Sequence, residues 1–386
     1  MSRNEPPLLV VCYDMSSVSP TRMAEIAVDV GCRLAFVCPP TAHARRMRPV
    51  LDCHGVVFDT AEYADVRALG AAVSVLRPAG IVTFSEPAIE LTAELAAVLG
   101  LPYQDVADIP AIRTKTVQRD RLRDAGVDNV RCARVSRLEQ SEAALSHVGL
   151  PAVIKPDAGY GSRNAFVTRN ADEYRSGMAA VLGGTRREEH VIVEEFLVGR
   201  SVEPPWGEYV TVDCLSRDGA VEPLFVCGKF APAEPFRSRG AYSPPNLPAE
   251  ETERAADLAA RAVRAVNIRH GVARVEIKLT EDGPRVIEVN GRVGGSVDHL
   301  AVRSGVQSPA AAAVSYALGG KPGVGRVPPP CPGVVYHYLG QQRPDVFRQP
   351  AVLSGVPGRD VAPASSPAQI PPGVLPDRCG QPEPVL

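Results

Sequence analysis

From Leu8 to Asp108 the sequence alternates short apolar runs with stretches of helical period, and this alternation constrains the fold more than any other feature. Leu8-Leu9-Val10-Val11-Cys12, Arg33-Leu34-Ala35-Phe36-Val37-Cys38, Val56-Val57-Phe58 and Ile81-Val82-Thr83-Phe84 read as strands. Ser19 to Val30 reads as a helix opened by Ser19-Pro20, and Pro87 to Leu99 as a helix stopped by Gly100. Strands separated by helices of this kind build βαβ units and a parallel sheet. No Gly-x-Gly-x-x-Gly follows the first strand, so a dinucleotide fingerprint is absent. Glu86 closes the fourth strand, where open α/β sheets present ligand-binding side chains.

The chain has 386 residues, too many for one ordinary domain. Residues 1–108 form the first expected unit and 109–320 the second. Within the second, 109–150 reads as a helical connector, with Thr114 to Ala125 an amphipathic helix ending at Gly126. Ala152-Val153-Ile154-Lys155-Pro156 is a strand running into a Gly/Ser loop, followed by a helix from Asp172 to Leu182 and the strand Val191-Ile192-Val193-Glu194. Arg217-Asp218-Gly219 predicts a hairpin turn. Glu250 to Val266 predicts a helix with Ala255, Leu258, Ala262 and Val266 on one stripe. A third segment, 321–386, carries fifteen prolines in 66 residues. There Val334 to Tyr338 is a possible strand, and little regular structure is expected beyond Pro350.

Composition removes several classes of function. The formal net charge is −2, and no basic stripe of the kind that neutralises nucleic-acid phosphates is present. No apolar run approaches the ~20 residues that cross a bilayer, and no basic start with a long apolar stretch marks a secretory signal. A cytoplasmic enzyme without nucleic-acid or membrane partners is the expectation, and a homodimer is the commonest outcome for such an enzyme. The nine cysteines form no CxxC or CxxH pair and read as reduced core thiols. Lysine is rare: residues 115, 155, 229, 278 and 321 stand against 37 arginines. Each lysine is thus a candidate for a task arginine does poorly, such as meeting a phosphate as a compact point charge.

Two neighbouring strands carry the strongest local chemistry. Arg274, Glu276 and Lys278 alternate with apolar residues and share a face; Glu288 and Asn290 share a face after the turn at 280–284. Pairing Leu279 with Arg285 would set Glu276 opposite Glu288 and Arg274 opposite Asn290. Like charges opposed on a sheet repel. Either the face is exposed and its charges solvated, or the oxygens surround a hard cation, for which Glu, Glu and Asn suit Mg²⁺ better than zinc. Lys155 stands at a strand end before Asp157-Ala158-Gly159-Tyr160-Gly161-Ser162, a loop able to fold over phosphates but unlike a P-loop.

Over about residues 109–320 the order of these motifs resembles the ATP-grasp superfamily of carboxylate–amine ligases. Thr114-Lys115 and Leu150 to Pro156 resemble its two ATP-lysine segments, and Val193-Glu194-Glu195-Phe196-Leu197 its adenine hinge. Arg274-Val275-Glu276 and Ile287-Glu288-Val289-Asn290-Gly291-Arg292 resemble its metal-binding strands. The resemblance implies an α/β fold, with a parallel-sheet N-terminal domain followed by a two-lobed ATP-grasp unit whose lid lobe spans about 150–200. It also implies ATP as co-substrate and two Mg²⁺ ions, with Mn²⁺ able to substitute, held by Glu276, Glu288 and Asn290.

Lys115 and Lys155 would hold phosphates, Gly161 and Ser162 would lie in the lid, and Glu194, Glu195 and Leu197 would receive the base. Glu208, or alternatively Glu203, would contact the ribose, and Arg292 with Arg274 would steady the acyl phosphate. Asn290-Gly291-Arg292-Val293-Gly294-Gly295-Ser296 resembles the subgroup using amino acids. The implied activity joins a small carboxylate to an amine through an acyl phosphate, forming an amide and releasing ADP and phosphate. The alternatives are an ATP-grasp enzyme of purine-type metabolism with another acid or acceptor, and a nucleotide-binding scaffold without turnover.

Overall fold

A computed structural model describes residues 5–320, apart from 160, 162, 184–187, 234–235 and 296, together with 335–338. Strands β1 (Leu8–Cys12), β2 (Arg33–Cys38), β3 (Gly55–Asp59) and β4 (Pro78–Thr83) form the expected parallel sheet, in the order β3-β2-β1-β4. Helices α1 (Pro20–Val30), α2 (Ala42–Asp52), α3 (Val66–Ser74) and α4 (Ile89–Leu99) accompany them. Ser19 caps α1 by accepting the Arg22 N–H, and Gly100 closes α4 in the left-handed conformation at φ 65°. Strand order reverses at β1, so Asp14, Ser85 and Glu86 gather at the carboxyl edge where β1 and β4 end.

A second sheet follows α5 (Ile109–Arg113) and α6 (Lys115–Asp124). Its strands are β5 (Cys132–Val135), β6 (Ala152–Pro156), β7 (Phe166–Thr168) and β8 (Val191–Glu195), in the antiparallel order β5-β8-β6-β7, with α7 (Ser141–Val148) and α8 (Ala171–Gly183) packed against them. The stretch 109–150 is therefore not wholly helical. Cys132–Val135 pairs with Val191–Glu194, some sixty residues on, and local periodicity carries no trace of that partner.

The third sheet contains β9 (Trp206–Arg217), β10 (Ala220–Phe230), β11 (Gly240–Ser243), β12 (His270–Thr280), β13 (Gly283–Asn290) and β14 (Val335–Tyr338), in the order β13-β12-β9-β10-β11-β14. The β9–β10 hairpin turns at Asp218 and Gly219, both at positive φ (52° and 89°), which matches the twist of the flanking strands. Helix α9 (Ala249–Ala265) buries Ala255, Leu258 and Ala262, with Val266 just beyond its end, against Val210, Val212, Val275 and Ile277. Helices α10 (Val297–Arg303) and α11 (Pro309–Ala317) complete the described fold. The expected strand near 334–338 is present as β14; the rest of the proline-rich segment lies outside the described residues. Of the cysteines described, all are free and five are buried. Among the described residues no helix is long and apolar enough to cross a membrane.

The β12–β13 register corrects one premise and keeps its consequence. Leu279 pairs with Pro284 and Lys278 with Arg285, one residue away from the expected pairing. A bulge at Ile287 takes up the difference, so Glu276 faces Glu288 and Arg274 faces Asn290 as the alternation required. Strand β13 is the sheet's edge, and its outward backbone groups are satisfied by side chains. The Val286 N–H donates to Asp128 Oδ2 (2.6 Å), and the Val286 and Ile287 carbonyls accept from Arg119 (2.7 and 2.8 Å). Gln118 closes both polar groups of Val289 at 2.8 Å. An edge occupied in this way cannot template another strand, and it fixes α6 to the strand that carries Glu288.

Candidate active site

Residue Lys115 begins α6, and its placement depends on Asp157 at the end of the second sheet. The Thr116 N–H and hydroxyl both donate to Asp157 Oδ1 (2.9 and 2.7 Å), and the Lys115 N–H donates to the Asp157 carbonyl (2.8 Å). The helix start is thus capped from outside by a carboxylate that is 2% exposed. Lys115 Nζ lies 3.0 Å from Glu288 Oε1 and 3.1 Å from the Gly159 carbonyl, so it touches the third sheet and the Gly/Ser loop together.

Residue Lys155, on β6, reaches Glu194 Oε2 on neighbouring β8 at 2.7 Å. Glu194 also accepts two hydrogen bonds from Arg119 (2.8 and 3.2 Å). Burial pushes the Glu194 carboxyl up, but Arg119 and Lys155 outweigh burial and hold it at about 2. Burial likewise opposes ionisation of Glu288, and Lys115 with Lys155 leaves its carboxyl below the ordinary value. Two lysines and two carboxylates from three parts of the chain therefore meet in one cluster. This geometry modifies one expectation: the Glu194 carboxylate turns inward and has little surface to offer a base.

The hinge beyond Glu194 is built as follows. Glu195 accepts from the Arg131 backbone and side chain (3.1 and 2.8 Å), and the Glu195 and Phe196 N–H groups donate to the carbonyls of Arg131 and Pro151. Among the described residues, the backbone of Leu197 has no protein partner. Glu208 pairs with Lys278, whose ammonium stands 5.7 Å over the Phe196 ring. A Cβ on Gly199 would come within 2.2 Å of the Glu208 side chain, so that glycine makes room for it. Glu208 is thus packed against the hinge, while Glu203 is exposed in the preceding loop.

On the third sheet, Glu276 and Asn290 have neither an ion pair nor a side-chain hydrogen bond among the described residues. Half-buried Glu276, buried Asn290 and Glu288 are oxygen donors that fit a hard divalent cation. Arg274 is 4% exposed and bonds Asp213 Oδ2 at 2.8 Å; it is a buried ion-pair member rather than part of a polar surface. Gly294 covers it. A Cβ there would fall 1.8 Å from the guanidinium carbon. Gly294→Ala should displace Arg274 from buried Asp213 and lower stability by about 3 kcal/mol, read as a melting temperature reduced by several degrees.

Arg292 lies 3.3 Å from Glu86 Oε2, and Arg113 bonds the Glu86 carbonyl and stands 3.9 Å from Oε1. Burial raises the Glu86 carboxyl despite these cations. Glu86 thereby joins the N-terminal domain to the site. In the loop after Lys155, Gly161 takes φ 69°, and Asn164 takes φ 52° and donates to Glu188 at 2.6 Å. Ser162 lies outside the described residues. Sequence reasoning missed Arg119 and Asp157. Arg119 follows Lys115 by four residues, one helical turn, and that spacing was the available signal.

A parallel-sheet domain, a small antiparallel sheet and a larger one meet around these lysine–carboxylate pairs. Residues 114–296 match the ATP-grasp domain family model, and the chain carries an ATP-grasp domain. It is 30% identical over 223 residues to an uncharacterized protein of Sinorhizobium fredii, covering 57% of this chain and 44% of that one. It is 26% identical over 229 residues to alanine–anticapsin ligase of Bacillus subtilis, covering 56% and 48%. The chain spans less than half the length of these relatives. The crystal structure of an L-amino acid ligase from Bacillus licheniformis superposes with a TM-score of 0.62 at 22% identity, over 82% of this chain and 75% of that one.

Proposed function

We propose that the chain is an ATP-dependent ligase that joins a small carboxylate to an amine, one of them an amino acid, and releases ADP and phosphate. The observation that carries this reading is the Lys115–Glu288 and Lys155–Glu194 cluster beside Glu276 and Asn290, whose side chains have no ion pair or hydrogen bond among the described residues. Such a cluster is neutral when empty, and its lysines can exchange carboxylate partners for phosphates as nucleotide enters.

In this reading Glu276, Glu288 and Asn290 would hold Mg²⁺, which supplies charge neutralisation to the β- and γ-phosphates. Lys115 and Lys155 hold phosphate oxygens, and Arg119 and Glu194 keep Lys155 aimed. Glu195 and Leu197 frame the base, and Glu208 faces the ribose. The loop around Gly161 excludes water from the acyl phosphate. Arg292 meets the acyl phosphate, with Arg274 setting the sheet face from below. The substrate carboxylate attacks the γ-phosphorus, ADP departs, and the amine then displaces phosphate from the acyl carbon.

The kinship to ligases, one of them named for alanine, supports an amino acid as one substrate. An ADP-release screen over a matrix of amino acids and amines, with mass detection, tests it. ADP is expected only with particular pairs, together with a product of their summed mass less water. Nucleotide binding with no ADP from any pair would favour a scaffold.

A further inference from the structure

Arg292 lies just past β13, on the stretch that leads from Gly291 into α10, beyond the reach of the strand ladder. Side chains from elsewhere hold that stretch. The Gly294 N–H donates to Asp213 Oδ1 on β9 (3.2 Å), Arg22 on α1 donates to Asp298 Oδ2 (2.8 Å), and the Val293 carbonyl accepts from the Ser17 hydroxyl (2.7 Å). Two of these three partners, Arg22 and Ser17, belong to the N-terminal domain.

Ser17 follows β1, and its two donors divide between the two sides of the seam. Its N–H donates to the Phe84 carbonyl at 2.9 Å. That carbonyl is thereby satisfied, and the single hydroxyl proton is free for Val293, at 2.7 Å against 3.0 Å to Phe84. Phe84 stands two residues before Glu86, and Val293 directly follows Arg292. One serine therefore ties together the backbones beneath both members of the Arg292–Glu86 pair. The Val293 carbonyl also accepts from Arg292 Nη1 at 3.2 Å, while Arg292 Nε faces Glu86 Oε2 at 3.3 Å. Two guanidinium nitrogens are thus engaged, and Nη2 has no hydrogen bond among the described residues. If the carbonyl turned, the guanidinium bonded to it would turn as well.

We propose that Ser17 is a positioning residue for the ligase reaction: its hydroxyl fixes the Val293 carbonyl, and through that carbonyl it aims Arg292 at the acyl phosphate. The inference rests on the role given to Arg292 above and extends it to a residue of the N-terminal domain. Ser17 forms no bond to substrate and moves no proton. A group that acts only through Arg292 bears on the steps at the acyl phosphate, where small misplacements are costly, and leaves the nucleotide held at Lys115 and Lys155 alone. Its signature is therefore a change in kcat without a change in KM for MgATP.

The test is steady-state ADP formation by the full-length protein, with an acid–amine pair that supports turnover, for Ser17→Ala, Ser17→Thr, Arg292→Lys and the Ser17→Ala/Arg292→Lys double variant. Ser17→Ala should lower kcat about tenfold with KM for MgATP within about twofold, and Ser17→Thr, which keeps the hydroxyl, should recover most of the loss. In the Arg292→Lys background Ser17→Ala should cost no more than about a further twofold, because the group it aims has already lost its fork. A kcat loss below about threefold, a matching rise in KM for MgATP, no recovery with threonine, or a larger further loss in the Arg292→Lys background overturns the proposal. Arg292→Lys with parental kcat overturns the role given to Arg292, and a parent protein that forms no ADP with any pair overturns the ligase reading; the proposal falls with either. Should Ser17→Ala fail to fold, Ser17→Cys, which keeps the size and weakens the donor, is judged by the same rule.

Discussion

Glu288→Gln is expected to reduce ADP formation at least about a hundredfold while leaving the melting temperature little changed. The amide keeps the shape and size of the side chain but loses the charge that would hold a divalent cation. Stability should survive because two effects oppose. The change removes the ion pair to Lys115, which keeps Glu86 and Glu194 as neighbouring counter-charges, and it also relieves the opposition of Glu276 and Glu288 across the β12–β13 pair. Turnover and a thermal melt on the same sample check both halves. Unchanged turnover would refute the role given to Glu288.

Glu194→Gln should have the largest effect on stability. Arg119 and Glu194 are each 5% exposed at the side chain, and Lys155 shares the same carboxylate. Removing the negative charge leaves buried cations unpaired, at about 3–5 kcal/mol, and loosens the backbone of β13 that Arg119 holds. The pH dependence follows from the depressed carboxyl. Ionised Glu194 stabilises the folded state fully above its ordinary value of 4.5, and that contribution fades as pH falls toward about 2. The parent protein should lose stability across this acid window, and the Gln variant should start lower and show a shallower loss there. Equal melting temperatures for the two at neutral pH would contradict the account of the cluster.

The sequence was legible where chemistry follows local period. The strand–helix alternation before Asp108, the Asp218-Gly219 turn and the stripe of α9 each depend on neighbours a few residues away. The opposition of Glu276 and Glu288 was also readable, because alternation sets the face even where the register is off. The bulge at Ile287 was not, since it is imposed by the side chains of Gln118, Arg119 and Asp128, over 150 residues earlier. For the same reason Arg119 carried no local sign of its role, and Asp157 read only as the first residue of the Gly/Ser loop. Their roles arise only when α6, the second sheet and β13 come together. Glu194 was placed at the hinge by its motif, and only the fold revealed which way its carboxylate turns.

The most direct measurement is a crystal of the full-length protein grown with Mn²⁺ and the methylene analogue of ATP, recorded at the manganese absorption edge. The account predicts anomalous peaks bonded to oxygens of Glu276, Glu288 and Asn290, with Lys115 and Lys155 turned from their carboxylates onto phosphates. Nucleotide bound elsewhere, with Lys115 still on Glu288 and no manganese at these strands, would contradict it.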